Sequence, residues 1–183
     1  GEAPEGPLVV DVGGGAAEGA VVSLGGIVCN ESSKVAGDVF TEDIQTYMRQ
    51  QHNIKIGERT AEEIKIAVGA AIDNLDNPPD DHIVRGPNII TSLPLEIPVS
   101  YKEVAHALDK SLMKVDAAIM KVLEKIPPEL YSDIVKNGIY LAGGGALLRG
   151  LDKRLSRKTR MPFHVSEDPL RAVARGTGIA LKN

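Results

Sequence analysis

Two stretches far apart in the chain share one device, and together they constrain the fold more than any other feature. Near the start, Leu8-Val-Val-Asp11-Val-Gly13-Gly14-Gly15 runs a short apolar segment into an aspartate and three glycines, and a second apolar run, Ala20-Val-Val-Ser-Leu24, follows at once. Near the end, Gly138-Ile-Tyr-Leu-Ala142-Gly143-Gly144-Gly145-Ala146-Leu147-Leu148 repeats the strand and the glycine turn, here with a helix expected behind it. Glycine reaches positive φ without a steric penalty and lets bare backbone approach a ligand. A nest of consecutive N–H groups suits phosphate, and Asp11 stands where a carboxylate can reach a magnesium ion or its waters. The expectation is two turns facing one nucleotide; the alternative is two tight structural turns. The first is not a dinucleotide-binding fingerprint, because a strand rather than a helix follows the glycines. The second, at the expected helix N-terminus, favours an anion, and its glycine backbone could equally lie flat against a purine or ribose.

Between these turns the pattern alternates in type. Leu8–Val12, Gly19–Leu24 and Ile27–Lys34 read as an antiparallel meander, with Gly25-Gly26 as a hairpin signal. Phe40, Ile44, Tyr47 and Met48 fall at helical spacing, which predicts a helix over 39–52 capped by Asp38 or Thr41. Thr60-Ala-Glu-Glu63 and Ser100-Tyr-Lys-Glu103 both have capping-box spacing. The first is expected to open a helix carrying Ile64, Ala67, Val68, Ala71 and Ile72 on one face, with Glu62 and Lys65 able to supply polar contacts to a ribose and base. The second is expected to open the longest helix, to about Ile126, with Leu108, Leu112, Val115, Ile119, Val122 and Ile126 as its stripe and Pro127-Pro128 as its stop. Extended segments are predicted at His82–Arg85, Asn88–Ser92 and Leu95–Val99. A short helix over 128–137 using Leu130, Ile134 and Val135 should follow, then strand Ile139–Ala142, a helix over 146–155 bent at Gly150, and strand Pro162–Val165. A last helix starts at Asp168-Pro169, with Leu170, Val173, Ala174 and Ile179 as its apolar face and Gly176 and Gly178 allowing close packing. The middle, 38–110, reads as a small subdomain inserted into an outer one, 7–37 and 111–183.

Composition enters as exclusions. Lysine plus arginine is 21 against 25 acidic residues, a formal charge of −4, and aromatics are 3% with no tryptophan, so neither a basic face nor a base-stacking platform for nucleic acid is expected. The single cysteine, Cys29, permits no intrachain disulfide and fits a reducing cytosol, and it is expected to be a buried structural thiol. No run of 18 apolar residues exists. The polar opening Gly1–Gly6 reads as a linker cut from something longer, with no signal peptide visible. His52, His82, His106 and His164 lack metal-ligand spacing, and Lys153 and Arg154 read as a solvated helix face. No nucleophile elbow and no P-loop is present.

Three strings together resemble the MreB family of bacterial actin-like cell-shape proteins: Leu8-Val-Val-Asp-Val-Gly-Gly-Gly15, Ile56-Gly-Glu-Arg-Thr-Ala-Glu-Glu-Ile-Lys65 and Leu141-Ala-Gly-Gly-Gly-Ala-Leu-Leu-Arg-Gly-Leu-Asp152. The Pro127-Pro-Glu-Leu130 break, Glu167-Asp-Pro-Leu170 and Gly176-Thr-Gly178 fit as well. The resemblance runs in order through nearly the whole chain. It implies an α/β fold: one lobe, the second, of the actin/heat-shock-chaperone/sugar-kinase ATPase fold, a ribonuclease-H-like outer subdomain with an inserted smaller α+β subdomain. It implies ATP or ADP with Mg2+ in the full-length family. Phosphate contacts would fall on Gly13, Gly14, Gly15 and Ala16, ribose and base contacts on Glu62, Glu63, Ile64 and Lys65, and further nucleotide contacts on Gly143, Gly144, Gly145 and Ala146. Asp11 matches the aspartate associated with magnesium and attacking water. Implied partners are copies of the chain in head-to-tail filaments and membrane-anchored cell-shape and wall-synthesis proteins, at the cytoplasmic inner face of the membrane. Direct membrane contact would come only through a first lobe.

Where the family usually carries two threonines after the glycines, this chain has Ala16 and Ala17. Backbone donors survive that change, while loss of one hydroxyl contact costs roughly 0.5–1.5 kcal/mol. With the other lobe's phosphate loop and hydrolytic glutamate absent, this chain alone is expected to bind nucleotide weakly or not at all and to hydrolyse it negligibly. The competing readings are a sugar or acid kinase lobe, a chaperone ATPase and a pure interaction module.

Overall fold

The computed structural model describes residues 8–15, 18–24, 27–31 and 37–167. The chain opens with three strands, β1 (Leu8–Gly15), β2 (Glu18–Leu24) and β3 (Ile27–Glu31). It continues through α1 (Gly37–His52), α2 (Glu58–Val68), a hairpin of β4 (His82–Pro87) and β5 (Pro94–Val99), and α3 (Tyr101–Glu124). A 3-10 turn (Pro128–Leu130) leads into α4 (Tyr131–Asn137), β6 (Ile139–Ala142), a second 3-10 turn (Gly144–Leu147), α5 (Leu151–Thr159) and β7 (Phe163–Val165).

One five-stranded sheet has the order β3-β2-β1-β6-β7, and β4-β5 form a separate two-stranded sheet. The predicted meander is present: β1 and β2, and β2 and β3, pair antiparallel. β6 joins the other side of β1 in parallel, and β7 joins β6 in parallel. The sheet is therefore built from both ends of the described chain, and residues 37–137 form an excursion that leaves after β3 and returns at β6.

The long helix is the strut between these parts. Ser100 Oγ accepts from Glu103 N, and the Glu103 carboxylate accepts from Ser100 N at 3.0 Å, so this capping box forms as expected. All six stripe residues from Leu108 to Ile126 are buried, and α3 packs against α1 and against β2 and β3. Glu103 does more than cap: Tyr47 Oη donates to it at 3.1 Å and His52 Nε2 lies 2.7 Å away, tying the end of α1 to the start of α3. Burial pushes the Glu103 carboxyl up, but the Ser100 amide, His52 and Tyr47 outweigh it and hold the group below its usual range.

Several expectations are corrected. α1 begins at Gly37, so Asp38 and Thr41 lie inside it, and Thr41 Oγ1 donates instead to Glu62 Oε2 at 3.3 Å. Thr60 and Glu63 do not form a capping box, because α2 starts at Glu58 behind an extended Gly57 and Glu63 pairs with Arg59. α2 also stops earlier than its apolar spacing suggests. Gly69 closes it by donating to Lys65 O at 2.8 Å, where a Cβ would overlap that carbonyl, and Ala71 and Ile72 lie beyond the helix. Residues 88–92 turn rather than extend: Asn88 Oδ1 accepts from the amides of Ile90 and Thr91, and Ser92 sits at φ 61°. Val135 points outward from α4, 63% exposed. The final helix at 168–179, the turns at Gly25-Gly26 and Ala16-Ala17, and the Cys29 side chain lie outside the described residues.

Candidate functional site

The register of the central strands brings the two glycine turns together. β1 and β6 are parallel neighbours with Asp11 opposite Ala142, so Gly13–Gly15, the last residues of β1, and Gly143–Gly145, just past β6, lie at the same end of the sheet. At Gly143 the chain has φ 88°, and a Cβ there would overlap Asp11 Oδ1 and lie 2.6 Å from Val12 O. Gly145 is as closely held, since its Cβ would lie 2.5 Å from Val12 Cγ1. Gly144 between them is exposed, with nothing within 4 Å of the direction a side chain would take. One glycine is thus fitted against Asp11, one against Val12, and the middle one opens outward.

The second turn differs from the expected helix start in one respect. Gly144–Leu147 is a single 3-10 turn, the chain bends again at Gly150 (φ 78°), and α5 begins only at Leu151. A helix macrodipole does not act at Gly143, because only one turn of backbone is aligned there. What remains is local: the first N–H groups of a helical turn have no partner within it, which leaves Gly144 and Gly145 as donors. Ala146 spends its amide on Gly143 O at 3.1 Å and buries its methyl.

Asp11 is the polar centre of this end of the sheet. Its Oδ1 is buried without a hydrogen-bond partner among the described residues, and burial pushes its carboxyl above the usual range. An unpaired buried carboxylate oxygen is costly unless a proton or cation approaches it. That orphaned oxygen, packed against Gly143, has the donor chemistry that suits a hydrated divalent cation. Among the described residues no group of three His, Cys, Asp or Glu side chains could hold a metal by itself. Gly13, Gly14 and Gly15 continue β1, with a register irregularity between Val12 and Gly15, and Ala16 lies outside the described residues.

Of the candidates on α2, Glu62, Glu63 and Lys65 keep their side chains at the surface, whereas Ile64 is fully buried in the core. Lys65 Nζ pairs with Glu62 Oε2 at 2.8 Å. α2 does not float free of the glycine turn. Beyond its end, Ala70 forms a parallel bridge with Arg149, just past the second turn.

Arg154 is not on a solvated face. It is 7% exposed, donates from Nε and Nη2 to Asp116 and from Nη1 to Asp109 Oδ1 at 2.9 Å and Ala71 O at 3.1 Å. Burial alone would lower its pKa, but the hydrogen bonds and charges of Asp116 and Asp109 raise it, so the guanidinium stays charged. Lys153 is the surface residue of the pair and bonds Asp76. The histidines are surface or packing residues as expected: His52 pairs with Glu103, and His164 lies against the Tyr140 ring.

Comparison with known proteins gives a consistent answer. The family model described as MreB/Mbl protein matches residues 2–183. The cell shape-determining protein Mbl of Bacillus subtilis (strain 168) is 43% identical over 180 residues, 98% of this chain and 54% of that protein. The cell shape-determining protein MreB of Escherichia coli (strain K12) is 44% identical over 181 residues, 97% of this chain and 50% of that protein. The chain therefore spans about half the length of the curated relatives it matches. Among solved structures, MreB5 of Spiroplasma citri bound to ADP superposes with a TM-score of 0.84 at 36% identity, over 98% of this chain and 54% of that one. The MamK double helical filament, at 18% identity and a TM-score of 0.73, supports the fold alone. The architecture is one lobe of the actin-like ATPase fold, and, with the match running from residue 2 to residue 183, the chain belongs to the MreB/Mbl protein family.

Proposed function

We propose that these 183 residues are the second lobe of an ATP-binding, filament-forming protein that determines cell shape from the cytoplasmic face of the membrane and guides wall synthesis. The observation that carries this reading is the parallel pairing of Asp11 with Ala142, which sets both glycine runs at one end of the sheet around a carboxylate oxygen with no hydrogen-bond partner among the described residues. The relatives' names, cell shape-determining proteins, support the cellular role over the kinase reading.

In this reading the backbone of Gly13–Gly15 and Ala16 meets the phosphates, joined by the N–H groups of Gly144 and Gly145. Asp11 would hold the waters of Mg2+, an ion that would neutralise phosphate charge when bound. Glu62, Glu63 and Lys65 face ribose and base, Ile64 holding the helix in place from the core. Gly143 and Ala146 are kept as contacts to the nucleotide, Ala146 through its backbone carbonyl, because its amide is spent on Gly143 O and its methyl is buried. The division into 7–37 with 111–183 and 38–110 is kept as a proposal, with α3, unbroken from 101 to 124, as the element shared by both parts. Partners are further copies, head to tail, and membrane-anchored shape and wall-synthesis proteins. Taken alone, these residues are expected to hydrolyse ATP negligibly.

Electron microscopy of the full-length gene product with ATP and Mg2+ tests the reading. Filaments are expected. Sugar-dependent release of ADP without filaments would favour a phosphotransferase instead.

A further inference from the structure

We infer that Arg149 is a positioning residue of the proposed nucleotide site: it fastens the C-terminal end of α2 to the exit of the second glycine turn and so fixes the spacing between the nucleoside-facing and phosphate-facing sides. The inference rests on that proposed site and deepens it.

A helix leaves its last four carbonyls without partners inside it. At the end of α2 one of them, Ile66 O, and the carbonyl of the capping Gly69 are met from across the fold. Arg149 Nη1 donates to Ile66 O at 3.2 Å and to Gly69 O at 3.3 Å. The main chain of the same residue adds two bonds, Arg149 N to Gly69 O at 3.2 Å and Ala71 N to Arg149 O at 2.9 Å. A guanidinium matches this place twice over, since its donors are held in a rigid fork and its charge complements the negative end of the helix. Two neighbours close the joint: the Leu148 side chain sits 3.0 Å from where a Cβ on Gly69 would stand, and Arg154 holds Ala71 O.

The joint lies between the two sets of candidate contacts. Ile66 immediately follows Glu62–Lys65, and Arg149 follows Gly143–Ala146 by one turn. A half-buried arginine is not what folds α2, because Ala61, Ile64 and Val68 are fully buried on its inner face. What Arg149 sets is where the end of that helix sits relative to the glycine turn.

The test uses the full-length gene product, isotope-labelled over these residues, with Arg149→Ala and Arg149→Lys, and Lys153→Ala as a control for loss of a nearby surface cation. Without nucleotide, Arg149→Ala should shift the amide resonances of Ala67 and Ala70, whose peptide carbonyls Ile66 O and Gly69 O lose the guanidinium. With Mg2+ and ADP at millimolar concentration, amide-shift titration should show affinity weakened by about tenfold, the scale of one lost hydrogen bond, partly restored in Arg149→Lys and unchanged in Lys153→Ala, while circular dichroism spectra stay alike. Parent-like resonances at Ala67 and Ala70 would overturn the inference. Shifted resonances with unchanged ADP affinity would overturn it too, leaving the proposed site intact. If the full-length parent gives no shifts with ADP at all, the site itself fails, and the positioning role with it.

Discussion

Asp11 keeps a buried carboxylate oxygen with no hydrogen-bond partner among the described residues, and that cost has a measurable sign. Its folded pKa is raised by burial above the ordinary 3.8, so the fold favours the protonated acid. Stability from this group is greatest below the unfolded value and falls as pH rises through the window up to the raised folded value. At neutral pH the penalty is in force, so Asp11→Asn should raise the thermal midpoint at pH 7 while abolishing the Mg2+ dependence of nucleotide binding; melts with and without Mg2+ and ADP check both. Gly143→Ala should act the other way. A side chain at φ 88° that overlaps Asp11 costs on the order of 1–3 kcal/mol, read as a lower denaturation midpoint. Arg154→Ala should cost about 3–5 kcal/mol, because it strands Asp116 in the interior without its partner; urea unfolding measures it. Asp11 and Gly143 are readable in the sequence because strand, carboxylate and glycines are contiguous. Arg154 is not: its partners Asp116 and Asp109 lie 38 and 45 residues away on α3, and nothing local distinguishes it from Lys153.

At the scale of elements, Glu103 joins α1 to α3 through Ser100, His52 and Tyr47. Its folded pKa lies below the ordinary 4.5, so its stabilisation is present above that value and is lost as pH falls through the lowered folded value. Glu103→Gln should therefore lower stability at pH 7 by about 1–3 kcal/mol, the range for a charged hydrogen-bonding group. It should also flatten the acid-side loss seen in denaturation at pH 7 and pH 4. The two Thr/Ser-x-x-Glu strings show how far local pattern reaches. Ser100 follows a strand ending in Pro98-Val99 and caps; Thr60 has the same spacing but lies in the first turn of a helix already begun at Glu58. Arg149 falls inside the Leu141–Asp152 string that carries the family resemblance, yet its task depends on the end of α2, some 80 residues earlier in the chain.

Across the whole molecule, the adjacency of β1 and β6 was legible because two matching glycine turns imply one shared site. The hairpin turn at 88–92 and the early end of α2 carry local signals, the Asn88 side chain accepting from Ile90 and Thr91 and Gly69 closing the helix on Lys65 O, which the apolar spacing of each segment masked. The central claim is that both turns present backbone amides to one nucleotide. Amide-shift mapping of the full-length gene product, labelled over these residues, with Mg2+ and the analogue AMPPNP addresses it most directly. The expected result is shifts at Gly13–Gly15 and at Gly144 and Gly145 that saturate together along one binding curve; shifts at one turn only, or at neither, would contradict it.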